Sequence, residues 1–220
     1  LWGESKLEMM VSRPVPEGIR SETSMWGWHD ELPHWNWEGH EGKSIKVKVY
    51  TTYPEVRLEL NGEVIGSGTL DSLDRYVAEF TLPYAAGELR AVGIQGGTEA
   101  ETHSLITTGE ASQLQLSPEM EEVPAEKNSL IFIPVTVLDP DGLPVPTDAS
   151  ELRITVLGPA TLLAAGNANP EHQGSFTDEV FHLFRGKALV ILRSTGKSGN
   201  IEVEVTSREL KPDRLTLFAY

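Results

Sequence analysis

The chain has 220 residues, with 33 acidic against 18 basic side chains, a formal charge of −15 and no cysteine. That balance excludes the clustered Lys and Arg that nucleic-acid phosphates require, and the lack of thiols excludes disulfides and thiolate metal sites. No apolar run approaches the roughly 18 residues of a membrane-spanning helix, and the length suits two ordinary domains or one large all-β unit.

The sequence opens Leu1-Trp2-Gly3-Glu4, with neither an initiator Met nor a basic-then-apolar leader, and reads as a piece of something longer. Residues 1–31 hold Pro14, Pro16, Gly18 and the polar run Arg20-Ser21-Glu22-Thr23-Ser24, the composition of a linker or surface loop. Within them Leu7 to Val11 is a short apolar run, expected to form an edge strand whose partner lies outside the chain. An aromatic stretch follows, with Trp26, Trp28, Trp35 and Trp37 in two i, i+2 pairs that share a face if the backbone is extended.

From Ser44 the pattern becomes that of half-buried strands. Ile45, Val47 and Val49 alternate with Lys46, Lys48 and Tyr50, and Val56, Leu58 and Leu60 repeat the alternation. Asn61-Gly62 then supplies the two positive-φ residues of a type I′ hairpin. Tyr76, Ala78, Phe80 and Leu82, then Leu89 to Ile94 and His103 to Thr107, complete a sandwich over 32–108. A second unit, 109–220, is built from Gln113 to Ser117, the nearly continuous apolar run Leu130 to Leu138, Leu152-Ile154-Val156, Ala188-Val190-Leu192, Ile201-Val203-Val205 and Leu215-Leu217. Pro134 cannot donate to a ladder, which places it at an edge or a bulge; Asp139-Pro140-Asp141-Gly142 is a turn, and Gly196-Lys197-Ser198 reads as a hairpin turn. Neither half shows a helical period, so the fold class is all-β, two immunoglobulin-like sandwiches in tandem without a disulfide.

The block Leu32-Pro33-His34-Trp35-Asn36-Trp37, with Gly39 and Glu41-Gly42-Lys43, then a strand, then Val56-Arg57-Leu58-Glu59-Leu60-Asn61-Gly62-Glu63-Val64-Ile65-Gly66, resembles the sandwich that follows the catalytic barrel in bacterial family 2 glycoside hydrolases of the β-galactosidase type. Those proteins usually have Pro where this chain has Glu38. Gly166-Asn167-Ala168-Asn169-Pro170-Glu171-His172 and Ala188-Leu189-Val190-Ile191-Leu192-Arg193-Ser194-Thr195-Gly196 resemble the immunoglobulin-like domain that comes next. The resemblance implies a non-catalytic C-terminal portion of a β-galactosidase-like enzyme, periplasmic or extracellular, that supports a barrel of the same polypeptide. Residues 1–31 would then be the linker trailing that barrel. It also implies that the parent's two glutamates are elsewhere, since this chain has no Asn-Glu pair and no strand-helix alternation.

The remaining chemistry is sparse. His29, His34 and His40 lack the i, i+4 spacing of helical metal ligands, and Gly166 to Pro170 with Asp178 and Glu179 lacks the Asp spacing of a calcium loop. We therefore expect no catalytic residue, no cofactor and no metal. The indoles of Trp26, Trp28, Trp35 and Trp37 are the candidates for interdomain or carbohydrate contact, because each can bury on the order of 150 to 250 Å² or stack on a sugar face. Two other classes fit the composition: an autonomous carbohydrate-binding module and an immunoglobulin-like repeat of a surface adhesin.

Overall fold

The computed structural model describes residues 5–15, 18–19, 25–27, 29–70 and 76–220, and every regular element among them is a strand. The chain divides into two units, Leu1–Thr107 and Thr108–Tyr220.

Unit 1 contains β1 (Leu7–Ser12), β2 (Glu31–Leu32), β3 (Ser44–Thr51), β4 (Glu55–Leu60), β5 (Glu63–Thr69), β6 (Val77–Pro83), β7 (Glu88–Gln95) and β8 (Thr98–Ile106). They form two antiparallel sheets, ordered β2-β1-β3-β6 and β5-β4-β7-β8. Alternation in sequence becomes alternation of faces: Leu7, Met9 and Val11 of β1 meet Ile45, Val47, Val49, Val56 and Leu58 in one core. Here the structure corrects the sequence reading of Leu7 to Val11. β1 is an interior strand, paired with β2 on one side and with β3 from Leu7↔Thr51 to Val11↔Val47 on the other. Its partners lie in this chain but remote in sequence, so a local reading sees only an isolated strand in a loop.

The hairpin between β4 and β5 turns at Asn61 (φ 52°) and Gly62 (φ 82°), as the type I′ reading requires. Asn61 also reaches the next connection, donating to the Ala86 carbonyl at 3.0 Å and accepting from the Glu88 amide at 2.9 Å. That approach needs glycine at 87, where a Cβ would lie 1.8 Å from the Asn61 amide oxygen and φ is +131°.

Unit 2 contains β9 (Gln113–Leu116), β10 (Glu122–Val123), β11 (Leu130–Leu138), β12 (Glu151–Leu157), β13 (Ala160–Gly166), β14 (Val180–His182), β15 (Lys187–Ser194), β16 (Gly199–Thr206) and β17 (Asp213–Ala219). One sheet runs β10-β17-β16-β12-β14 and the other β13-β15-β11-β9; β10 and β17 pair in parallel. Ile131, Ile133, Val135 and Val137 face Leu152, Ile154, Ile201, Val203 and Val205 across the core.

Two sequence signals acquire their explanation from topology. Pro134 sits in the interior strand β11, yet its carbonyl accepts from Ser117 at 3.0 Å. The missing N–H therefore points to the side where β9 has just ended at Leu116, an edge in all but name. Gly196, read as a hairpin turn, instead carries the chain from β15 in one sheet to β16 in the other; turn chemistry is the same for both, and only sheet membership separates them.

Asp139 organises the entry to unit 2. Its buried carboxylate accepts from the amides of Gly109 (2.8 Å), Asp141 (3.0 Å) and Leu143 (2.8 Å). Burial pushes its pKa up, but these backbone donors outweigh burial and hold it below the ordinary aspartate value. Because the folded value is depressed, the stabilisation is complete above the ordinary value of 3.8 and is lost as pH falls through the lower folded one. Asp139→Ala removes the shared acceptor of three backbone amides at half-buried to exposed positions and is expected to cost about 1 to 2 kcal/mol. Faster hydrogen exchange at Gly109, Asp141 and Leu143 would show it; unchanged exchange there would contradict the assignment.

Candidate functional site

The aromatic block between β2 and β3 closes one end of the unit 1 sandwich. Trp35 is 0% exposed and Trp37 9%. The Trp35 indole Nε1 donates to the Ala85 carbonyl at 2.9 Å, and its ring meets Tyr84 edge-on with centroids 4.9 Å apart. The Tyr84 hydroxyl donates to the Trp35 carbonyl (3.3 Å) and accepts from the Trp37 amide (3.2 Å), while Thr107 Oγ1 donates to the same Trp35 carbonyl at 2.6 Å. His34 is held against the Trp37 ring, centroids 4.5 Å apart. Gly42 and Tyr84 complete the closure through the bonds Gly42 N to Tyr84 O and Tyr84 N to Lys43 O.

This corrects the expectation for two of the four candidate indoles. Trp35 and Trp37 belong to the unit's own core and present no face to a sugar or a partner. The i, i+2 spacing pointed both rings the same way, inward; spacing alone carries no information on which side is solvent. Trp26 is the opposite case, 78% exposed beside Met25 at 90%. Trp28 lies outside the described residues.

Met25 and Trp26 sit in the excursion that leaves β1 at Ser12 and returns at β2. Its two ends are tied together: Ser12↔Glu31 and Val11↔Leu32 pair, Arg13 N donates to Asp30 O at 3.0 Å, and their side chains form an exposed ion pair. A stronger tie is buried. Glu31 pairs with Lys48 of β3, both nearly inaccessible, and accepts from the Tyr50 hydroxyl at 2.7 Å. Burial alone would raise the Glu31 pKa, yet the bonds from Lys48 and Tyr50 and the Lys48 charge hold it below its ordinary value. Tyr50 is pushed up to about 12 by burial and by the Glu31 carboxylate it serves.

The other constellations have partners within the fold. Among the described residues no three His, Asp or Glu side chains are grouped to hold a metal ion. In the loop read against a calcium site, Asn167 Oδ1 accepts from Asn169 N (2.8 Å) and Asn169 Oδ1 from Glu171 N (3.0 Å), so successive turns use the oxygens internally. Arg57 bridges Glu59 and Glu99, and Arg90 joins Glu59 at 2.8 Å, an ion network across the outward face of β4, β7 and β8. No helix of the described residues is long and apolar enough to cross a membrane.

Two helix-free sandwiches, closed by their own aromatic and charged ties, define a pair of ancillary β-domains. Comparison with known proteins gives the family. Residues 114–216 match glycoside hydrolase family 2 C-terminal domain 5, and residues 42–101 match a domain of unknown function, DUF4982. The chain is 29% identical over 189 residues to Beta-galactosidase BoGH2A of Bacteroides ovatus, covering 86% of this chain and 22% of that protein. A solved glycosyl hydrolase family 2 member from Bacteroides cellulosilyticus superposes with a TM-score of 0.91 at 30% identity, over 97% of this chain and 28% of the other. A β-glycosidase from Bacteroides vulgatus gives 0.80 at 26%, over 98% and 25%. The chain belongs to the C-terminal, non-catalytic β-sandwich portion of bacterial family 2 glycoside hydrolases. It spans between 22% and 28% of these relatives' own length.

Lys48→Ala leaves Glu31 buried without its counter-ion and is expected to cost roughly 3 kcal/mol. All five tryptophans lie at or before position 37, so urea unfolding followed by indole fluorescence reads unit 1. In wild type the Glu31 tie holds above the ordinary glutamate value and loosens as pH falls through the depressed folded one. A Lys48→Ala midpoint equal to wild type at neutral pH would remove this tie from the account.

Proposed function

We propose that the chain is a packing module that supports the catalytic barrel of a β-galactosidase-like family 2 glycoside hydrolase and makes no bond-breaking contribution itself. The observation that carries the reading is the excursion between β1 and β2. Its ends are fixed to an interior strand by backbone pairing and a buried ion pair, while Met25 and Trp26 within it are exposed to solvent. An exposed indole beside an exposed thioether, on a loop anchored at both ends, has the make-up of an interface anchor. Rigid ends lower the entropy lost when such a loop docks. Trp28 extends the same anchor in this reading, and the module works outside the cytoplasm, in the periplasm or beyond. Its effect on catalysis is positional, keeping barrel residues in register with one another.

The reading is tested by titrating the isolated chain with the separately produced barrel of its parent polypeptide. Association is expected, weakened at least tenfold by Trp26→Ala, with no hydrolysis of a chromogenic β-galactoside by the chain alone. Absence of association, or retardation of the chain in a galactan gel that Trp26→Ala abolishes, would favour an autonomous carbohydrate-binding module instead. Turnover by the pure chain would contradict the non-catalytic role outright.

A further inference from the structure

The outward sheet faces are not alike. In unit 1 one carries the Glu31–Lys48 and Lys46–Glu79 pairs and the other the Arg57–Glu59–Arg90 network. In unit 2 the outward face of β12, β16 and β17 carries Arg153, Glu204 and Arg214 in ion pairs. The sheet β13-β15-β11-β9 departs from this. Its register stacks Gly166, Leu189 and Pro134 in one outward row and Ala164, Ile191 and Phe132 in the next. In a chain with 33 acidic residues, its four strands contain no Asp or Glu. The signal is already in the sequence: Leu130 to Val135 and Ala188 to Leu192 are unbroken apolar runs, the pattern of strands covered on both faces, whereas the sandwich covers one.

At the β13 edge this face becomes concave. Small side chains, Ala164, Gly166 and Ala168, leave an open trough of about 770 Å³. Phe176 and Phe184 wall it. Phe176 is fixed by the bond from Ala165 N to its carbonyl (2.7 Å) and by ring contact with His172 at 4.9 Å. Its ring lies where a side chain on Gly166 would go, 2.4 Å from an added Cβ. The size falls in the range of small-molecule sites.

One end of the trough is cationic. A tight turn, with Phe184 N donating to Lys187 O at 2.9 Å, places Arg185 at φ 54° and Gly186 at φ 71°. The left-handed position favours Gly or Asn, so an arginine there is a local rule broken in favour of its side chain. The turn is locked, since Gly186 N donates to Asp148 O and a Cβ at 186 would meet the Val145 carbonyl at 2.0 Å. The Arg185 guanidinium lies 5.0 Å from the Phe184 ring centre. The neighbouring pairs, Arg153–Glu179 and His182–Glu151, leave Arg185 and Lys187 without a carboxylate among the described residues.

We propose that this trough binds an amphiphilic carboxylate, a ligand with an apolar body of alkyl-chain or single-ring size and one anionic head. The body lies over Ala164, Leu189 and Ile191 between the two phenyl rings, and the head meets Arg185 and Lys187. A sugar fits poorly. Its hydroxyls need partners, and the one amide in the wall, Asn167, already donates to His182 O (2.7 Å) and accepts from Asn169 N (2.8 Å). A second copy fits poorly too, because a two-fold contact would set this face, with Lys187 and Arg193 and no carboxylate on its strands, against itself. The inference does not depend on whether the module packs on a barrel.

The test is titration of the whole chain with octanoate, read by amide NMR shifts and calorimetry, with 1-octanol and glucuronate as controls. We expect one saturable site with shifts at Gly166, Arg185, Leu189 and Ile191, and an octanoate Kd at least tenfold below that of 1-octanol. Arg185→Gly, which suits the left-handed backbone, combined with Lys187→Gln should weaken octanoate at least tenfold while leaving 1-octanol unchanged. Leu189→Asp, at an exposed position, should abolish both. No saturation, equal binding of octanoate and 1-octanol, preference for glucuronate, or a concentration-dependent dimer that masks these amides would each overturn the proposal.

Discussion

Unit 1 depends on a single closure, the Trp35 indole seated between Tyr84 and the Ala85 carbonyl. An irregular segment cannot satisfy its backbone through a ladder, so burying it requires side-chain and turn partners. Here Tyr84 supplies both a donor and an acceptor, Thr107 adds a second donor to the Trp35 carbonyl, and the indole N–H is satisfied in return. The closure binds three remote stretches, the aromatic block, the β6–β7 connection and the end of β8. It consumes two of the chain's five tryptophans as structure. Trp26, in the β1–β2 excursion, is instead exposed.

That excursion shows how a loop can be both exposed and held. The Arg13–Asp30 pair is exposed and contributes little. Glu31, Lys48 and Tyr50 are different, because the Glu31–Lys48 pair is withdrawn from water and Tyr50 donates to the same carboxylate. Replacing one member exposes the desolvation cost of the rest. Fixing the ends in this way ties both flanks of the excursion to the sheet. Unit 2 does the analogous thing with a carboxylate: Asp139 gathers the amides of its own turn and of Gly109 at the unit's entrance.

Much of this was legible in residues. The alternation of Ile45, Val47 and Val49, the Asn61-Gly62 turn and the absence of any helical period determine an all-β reading, and the family resemblance carried by the Leu32 to Lys43 block agrees with the comparisons. Three things were not legible, each for a physical reason. The pairing of Leu7–Ser12 with β3 is non-local, and non-local partners leave no mark on a short run. Crossing between sheets at Gly196 uses the same turn residues as a hairpin. The inward seating of Trp35 and Trp37 follows from what Tyr84 and Thr107 offer, residues far along the chain. The apolar exterior of unit 2, by contrast, was written in the unbroken runs of β11 and β15, which are more apolar than a half-buried strand needs.

The most direct test of the closure is 19F NMR of the chain labelled with 5-fluorotryptophan, each resonance assigned by single Trp→Phe replacement. Solvent-isotope shifts and broadening by a soluble paramagnet then report which indoles touch water. The account predicts that Trp35 and Trp37 are indifferent to both while Trp26 responds strongly. A Trp35 resonance as responsive as that of Trp26 would mean that the indole is not the seal of its own domain.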